Sequence, residues 1–405
     1  MSRRIALLAT ALVAAAGLAV SASGAQAKQT SSRLLVGIND EAFTLYGDPT
    51  AAFATLKSLK AQVIRVNLYW GGTKWAVGAK KPSDATDPGD PNYDWTIYDR
   101  LVRYATQNGI QVVFSILFTP SWANGGKARN VAPKDFKALH DFAYAAAARY
   151  SGYYTPPPWQ QDPTNPTTAE PLPKVSMWTA WNEPNNPIWL SPQYKRVGKT
   201  WRVESAFQYA KICNAVYTGV HDVLISPEKG KVPGEQVACG VTGPKGNDAP
   251  ATRRASVDPL TFLTAAKRYG MKTFDVYAHH PYADIGSKES PTYVPKGKQA
   301  RRVQLGNLNT LLALVTKYYG PKHLWITEFG YQSNPPDKTF GVSYALQAKY
   351  LTQSYAIARK NPRIDMLLWF LVRDEPALGG WQSGLATTTG RHKPAWAAYV
   401  AVPRG

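Results

Sequence analysis

Cysteine is scarce in this chain, with Cys213 and Cys239 the only two among 405 residues. No further ligand-type residues at suitable spacing accompany them, which argues against a cysteine-based metal centre. In an exported protein such a pair favours a disulfide. The alternative is two buried free thiols.

Long apolar runs are equally rare. One stands out, "IALLATALVAAAGLAV", which follows the basic "MSRR" and precedes "SASGAQA" with its small-x-small end Ala25-Gln26-Ala27. The run is short for a bilayer-spanning helix, so it predicts a secretory signal peptide over residues 1–27 rather than a membrane anchor. We therefore expect a secreted protein without stable membrane insertion.

Acidic residues are few beside basic ones, 27 against 47, for a formal net charge of +20. That balance suits acidic surfaces or acidic polymers as neighbours. The basic residues are dispersed and no nucleic-acid-binding motif accompanies them, so a basic surface is favoured over a nucleic-acid partner. Aromatic residues, by contrast, are plentiful, with 13 Trp and 23 Tyr, many of them in Pro- and Gly-rich stretches.

Short β-branched or aromatic runs alternate eight times with segments of helical spacing. The predicted strands are residues 34–40, 63–70, 111–118, 175–182, 236–242, 274–280, 323–329 and 365–372. Such alternation predicts parallel strands covered by helices, and eight units suit a closed (β/α)8 TIM barrel.

An open doubly wound sheet is the structural alternative. It would usually carry a Gly-rich phosphate turn after its first strand, and "GINDEAFTLYG" is not one. No interdomain linker is evident, and the Pro-rich stretch at 154–174 is interpreted as a long loop. Residues 28–405 are therefore expected to form a single, monomeric domain with long loops at the carboxyl ends of the strands.

Polar residues gather at those predicted carboxyl ends, where barrels of this kind place their chemistry. Glu183 follows the fourth strand in "VSMWTAWNEPNNP", and Glu328 follows four apolar strand residues in "LWITEFGY" on the seventh. Strands four and seven of an eight-stranded barrel face each other across the mouth. Two carboxyl groups placed there suit glycosidic bond cleavage, in which one protonates the leaving oxygen and the other acts at the anomeric carbon.

The paired motifs "WNEPN" and "TEFG" resemble the signatures of glycoside hydrolase clan A, a group of retaining (β/α)8 enzymes, and most resemble families 39 and 5. The resemblance covers roughly residues 34–400. It implies Glu183 as acid/base, Glu328 as nucleophile and Asn182 as the amide that holds the sugar's 2-hydroxyl. The two carboxyl groups should then lie about 5–5.5 Å apart. No cofactor is implied.

The same resemblance assigns four further residues. Arg65 would contact the nucleophile. His280 and Tyr282 would form the strand-six pattern, in which the tyrosine hydrogen-bonds the nucleophile. Trp369 would form the floor of the subsite that holds the cleaved sugar. Trp122 is either a sugar platform or a loop-packing residue. His279 and His280 could suggest a metal, but no further ligands stand at suitable spacing, so a hydrogen-bonding role is favoured and no metal is expected.

Three functions remain open from the sequence. The leading one is a secreted retaining glycosidase acting on a β-linked polysaccharide or glycoside, with carbohydrate as its partner. A transglycosylase would use the same two glutamates while excluding water. A non-catalytic carbohydrate-binding barrel would use them to hold hydroxyl groups.

Overall fold

The computed structural model describes residues 34–284 and 289–404, so the predicted signal peptide, residues 1–27, lies outside the described residues. Across these two ranges, every helix is too short or too polar to cross a bilayer.

Eight parallel strands form a closed barrel, in which each strand pairs with its neighbours in sequence and the last pairs with the first. In chain order they are β1 Leu35–Asn39, β2 Val63–Tyr69, β3 Gln111–Leu117, β4 Met177–Ala180, β5 Gln236–Thr242, β6 Val276–His279, β7 His323–Phe329 and β8 Ile364–Phe370. The predicted (β/α)8 barrel is confirmed, and each strand lies within or beside its predicted run.

Helices surround the barrel. They are α1 Glu41–Thr44, α2 Pro49–Ser58, α3 Thr96–Gln107, α4 Ser121–Asn124, α5 Phe136–Arg149, α6 Glu204–His221, α7 Pro259–Arg268, α8 Leu308–Tyr319, α9 Tyr344–Arg359 and α10 Pro394–Ala401. Asp48 and Asp258 cap α2 and α7, each accepting a backbone N–H with proline at the first helical position. Such caps fix where each helix begins, because they satisfy N–H groups that have no partner within the helix.

The strand alternation sorts side chains into two cores. Outward-facing residues pack against the helices, while a smaller inner cluster fills the barrel with apolar side chains such as Val63, Val113 and Met366. Two residues further along β2 and β3 the inward positions become polar, at Arg65 and Ser115. The barrel is therefore closed by apolar packing below and opens into a polar mouth at the carboxyl ends of the strands.

The Pro-rich stretch lies between α5 and β4, on the helix-to-strand side and so away from the mouth. It contains 3₁₀ turns at Pro158–Gln160 and Pro166–Ala169. Buried Arg149 donates to Gln160 Oε1 at 2.7 Å and pairs with Asp99 at 2.5 Å. These contacts hold the loop against the barrel wall, so its role is structural.

A disulfide joins Cys213 on α6 to Cys239 on β5, as predicted. Both residues are fully buried and lie 26 positions apart in the chain. Replacing both with alanine should lower the free energy of unfolding by about 3 kcal/mol, because the bond limits the entropy of the unfolded chain. Urea unfolding of the oxidised protein and the double variant measures the difference. Equal midpoints would show that the bond adds nothing to stability.

Candidate active site

A cleft of about 750 Å³ opens at the carboxyl ends of the strands. Residues of β1, β2, β7 and β8, and of the loops that follow β1, β4, β5, β6 and β8, line its walls. Among them are Asn39, Glu41, Tyr69, Asn182, Glu183, Trp189, Lys245, Tyr282, Glu328, Phe370, Arg373 and Trp381. Both predicted glutamates therefore face the same cleft.

The chain leaves β4 through a constrained turn that aims Glu183 into the cleft. Trp181 has φ 73° and Glu183 has φ 36°, backbone values in the left-handed region that residues other than glycine rarely adopt. The Glu183 backbone N–H donates to Val241 O at 2.8 Å, and Asn185 Oδ1 accepts from Gly243 N at 2.8 Å. These bonds to β5 and its loop offset the strain and fix the position of the carboxyl group.

The Glu183 carboxyl group lies in an environment that favours its protonated form. Burial raises its pKa to about 7, and this outweighs the opposing effects of Asn186, Arg65 and Trp189. A Cβ atom built on Gly243 would lie 3.0 Å from Glu183 Cδ. Glycine at position 243 thus leaves room for the carboxyl group.

Glu328, on β7 opposite, is held by three donors. Arg65 Nη1 lies 3.0 Å from its Oε2, Tyr282 OH donates to Oε1 at 2.9 Å, and Asn39 Nδ2 donates to Oε2 at 3.3 Å. Both oxygens are therefore oriented. The Arg65 and Tyr282 contacts are those that the resemblance implied.

Arg65 is the central buried cation of the site, with only 1% of its surface exposed. Besides Glu328 it donates to Ser115 Oγ at 2.7 Å and to Asn182 Oδ1 at 2.6 Å. One side chain therefore links β2, β3, the end of β4 and β7. Because a guanidinium presents its donors in a fixed planar fork, it also fixes the geometry between Asn182 and Glu328.

His280 connects Glu183 to β7. Its Nδ1 lies 3.0 Å from Glu183 Oε1, and its Nε2 lies 3.0 Å from Thr327 Oγ1. Burial lowers the pKa of His280 to about 3, so the ring is neutral and acts as a hydrogen-bonding partner of the carboxyl group. His279 points elsewhere and bonds Thr242 Oγ1 and Val303 O.

Ligand-type atoms of Glu183, His280 and Glu328 lie within 4.8 Å of one another, a spacing that a metal ion could in principle use. The surrounding contacts disfavour this. Tyr282 donates to one oxygen of Glu328, and the permanent cation Arg65 lies 3.0 Å from the other, where it would repel a divalent ion. The donor set suits a hydrogen-bonded carboxyl pair better than a metal centre.

Two predicted aromatic contacts lie outside the cleft. Trp369 is fully buried and belongs to the outer core, with its Nε1 donating to Ser383 O at 2.8 Å. Strand alternation turns the next residue, Phe370, into the cleft instead. Trp122 packs edge-on against Trp70 and donates to Gly78 O, so its contacts are those of the loop-packing alternative.

The cleft also contains aromatic residues that the sequence reasoning did not identify. Trp381, in the loop after β8, packs 5.1 Å from Tyr282, and Trp189, after β4, stacks on Phe118 at 5.8 Å. No spacing pattern marks either residue. The usable signal was their density in Pro- and Gly-rich stretches that follow strands.

Glu41 lies directly after β1 and faces the same cleft. Its carboxylate accepts from Asn67 N at 2.6 Å and Tyr69 OH at 2.8 Å, and burial raises its pKa. The wall formed by β1 and β2 therefore adds a third carboxyl group and a phenol, groups that can hold sugar hydroxyls.

Comparison with solved structures finds barrels of the same kind. A family 39 glycoside hydrolase from Bacteroides cellulosilyticus WH2 is 17% identical with a TM-score of 0.57, and the match covers 91% of this chain and 62% of that one. A glucosidase from Croceicoccus marinus is 14% identical with a TM-score of 0.60, covering 91% and 67%. A monomeric β-xylosidase from Caulobacter crescentus CB15 is 16% identical with a TM-score of 0.55, covering 91% and 67%.

The expected resemblance is thus found in structure, and at these identities what is shared is the fold. This chain spans less than two thirds of the family 39 enzyme and about two thirds of the other two. No protein-family model matches the sequence, and no curated protein matches it.

Proposed function

We propose that this protein is a secreted retaining glycoside hydrolase that cleaves O-glycosidic bonds in a β-linked polysaccharide or glycoside. One observation carries the proposal. Oxygens of Glu183, which follows β4, and Glu328, on β7, lie within 4.8 Å of each other at the barrel mouth. Retaining enzymes keep their two carboxyl groups about 5–5.5 Å apart, whereas inverting enzymes leave about 6.5–9.5 Å for a water molecule.

The reaction proceeds in two displacements. Glu328 attacks the anomeric carbon while Glu183 protonates the departing glycosidic oxygen, which breaks the bond and leaves the sugar covalently attached to Glu328. Glu183, now a carboxylate, takes a proton from water as that water attacks the same carbon. The sugar leaves with its original configuration, and both glutamates return to their starting states.

The surroundings of the two glutamates support these separate roles. Burial favours the protonated form of Glu183, as a general acid requires, and His280 lies 3.0 Å from its Oε1. Arg65 and Tyr282 hold Glu328 by both oxygens, which orients it for attack. Asn182 accepts from Arg65 through Oδ1, so its Nδ2 would donate to the sugar's 2-hydroxyl.

Secretion and domain extent form part of the proposal. The pattern of residues 1–27 supports export, and the disulfide between Cys213 and Cys239 suits an oxidising compartment. Residues 28–405 would then be the mature, monomeric catalytic domain.

The decisive experiment is mass analysis after incubation with a panel of 2-deoxy-2-fluoro β-glycosides. The fluorine slows breakdown of the covalent intermediate, so a mass adduct on the peptide that carries Glu328 is expected. An adduct on the Glu183 peptide would reverse the two roles. No adduct and no hydrolysis of polymeric glycans would support a carbohydrate-binding barrel instead, whereas transfer to added sugars in preference to water would indicate a transglycosylase.

The raised pKa of Glu183 predicts the alkaline side of the pH profile. A general acid works only while protonated, so kcat/KM should be about half its maximum near pH 7 and fall about tenfold per pH unit at higher pH. Initial rates on an aryl β-glycoside from pH 4 to 9 test this. With the most reactive aryl leaving groups, Glu183→Gln should retain measurable activity and lose the alkaline fall. A fall centred near pH 4.5 would contradict the effect of burial.

A further inference from the structure

A hairpin formed by Tyr194–Val197 and Thr200–Val203 rises from the long loop between β4 and α6. Its tip is basic, with Lys195, Arg196 and Lys199 all exposed. Trp201 is 42% exposed, a large apolar surface to leave in water. The hairpin thus presents an aromatic ring together with cations at the barrel rim.

A second concave surface begins at this hairpin and runs down the barrel wall between α7 and α8. It has a volume of about 690 Å³ and follows α7 from Leu260 to Arg268, about 12 Å of helix. Its lining residues are Trp201, Val203, Leu260, Thr261, Thr264, Ala265, Arg268, Tyr269, Arg301, Thr310, Ala313, Leu314 and Lys317. We call this surface the wall groove.

The charged side chains that line the wall groove are all basic. Among its lining residues none is acidic, whereas Arg301 lies near the rim and Arg268 and Lys317 lie at the far end. Only Arg301 is near a carboxylate, Asp248 at 3.6 Å. The lining between these cations consists mainly of aliphatic side chains and threonines.

We propose that the wall groove is an accessory binding site for an anionic polysaccharide, separate from the catalytic cleft. Exposed Arg268 and Lys317 would pair with carboxylate or sulfate groups of the chain. Trp201 offers an aromatic face for the apolar side of a sugar ring, and the exposed hydroxyl of Thr310 can bond the rim of that ring. This inference rests on the proposed function only in naming a glycan as the natural ligand.

A polyanion of another class is the natural competitor. Nucleic acid would also pair with the cations, but the groove has a single exposed aromatic ring, and its lining cations lie only near its two ends. The mixture of hydroxyls, small apolar residues and cations fits a sugar chain better.

Binding should be measured on the Glu183→Gln/Glu328→Gln double variant, so that the result does not depend on hydrolysis. The probes are fluorescent alginate, which carries carboxylates, dextran sulfate, which carries sulfates, and neutral dextran. Binding of at least one anionic probe, weakening with added salt, is expected, and the tighter of the two identifies the acidic group. Equal binding of neutral dextran would overturn the proposal.

Charge reversal locates the site. In the Glu183→Gln/Glu328→Gln background, the further substitutions Arg268→Glu/Lys317→Glu should weaken binding of the anionic probe by at least about tenfold, because two attractions become repulsions. Adding Trp201→Ala should weaken binding without changing its salt dependence. The matched control is Lys57→Glu/Lys360→Glu, which reverses two exposed lysines elsewhere on the barrel and should leave affinity within about twofold.

An equal loss in both charge-reversal variants would overturn the proposal, because overall charge would then explain binding. Equal competition by duplex DNA of the same charge would overturn the choice of a glycan. The fluoroglycoside experiment tests the cleft independently. If trapping fails while groove binding persists, the hydrolase proposal falls and the accessory site stands.

Discussion

Replacing Glu328 with glutamine is expected to reduce kcat by on the order of 10⁶-fold, the largest effect of any single substitution in this protein. A residue that forms a covalent intermediate has no substitute, and the amide is a poor nucleophile. Glutamine keeps the size of the side chain, and its single amide oxygen can still accept either from Tyr282 or from Arg65 and Asn39. The fold should therefore survive, and single-turnover rates on an aryl β-glycoside measure the loss.

Glu183→Gln is the comparison that separates the two roles. It should cost about 10²- to 10⁴-fold with a poor leaving group and much less with a good one, because only the poor one needs protonation. Glu328→Gln should cost the same with both. A loss that depends on the leaving group in Glu328→Gln, and not in Glu183→Gln, would exchange the assignments.

Replacing Lys393 with methionine is expected to lower the free energy of unfolding by about 3–5 kcal/mol. Lys393 Nζ donates to Asp374 Oδ1 at 2.6 Å and Ser333 Oγ at 2.8 Å, and both charged side chains are almost completely buried. Methionine has similar volume and no charge, so Asp374 would be left as a buried anion without a counterion. Urea unfolding at pH 7 measures the loss.

Asp374→Asn/Lys393→Met is the matched control. The amide can still accept from Gly384 N, while the uncompensated charge is gone, so at least half of the lost stability should return. The double variant would contradict the argument if it were less stable than Lys393→Met alone. Lys393 also anchors the loop that carries Trp381, so KM should rise in the single variant before kcat changes.

Much of the fold, and the meeting of Glu183 and Glu328 in one cleft, could be predicted from the sequence, because both depend on local patterns. Each barrel strand is a short apolar run, and Glu183 and Glu328 stand directly where two such runs end. Strand order then places both at the same end of the barrel, three strands apart. Cys213 and Cys239 could be paired because no other thiol was available.

Other features depend on register and long-range contacts that a sequence does not display. Trp369 and Phe370 are both aromatic residues at the end of β8, and only the strand register decides which one faces the cleft. Asp374 stands beside Arg373 in the sequence, yet its partner is Lys393, 19 positions away. Adjacent residues of an extended chain point in opposite directions, so the nearest charge is often not the partner.

Closure of the barrel has a consequence for how the chain folds. β1 has β8 as one of its two neighbours, with Leu35 opposite Met366. The first strand of the chain therefore cannot complete its pairing until the last strand has formed. Contacts between residues this distant in sequence form slowly, because the conformational entropy of the intervening chain is lost before the pairing contributes any stability. A chain interrupted before β8 would leave two open sheet edges, the ready templates for aggregation. We therefore expect assembly of the active cleft and burial of those edges to be completed in the same late step.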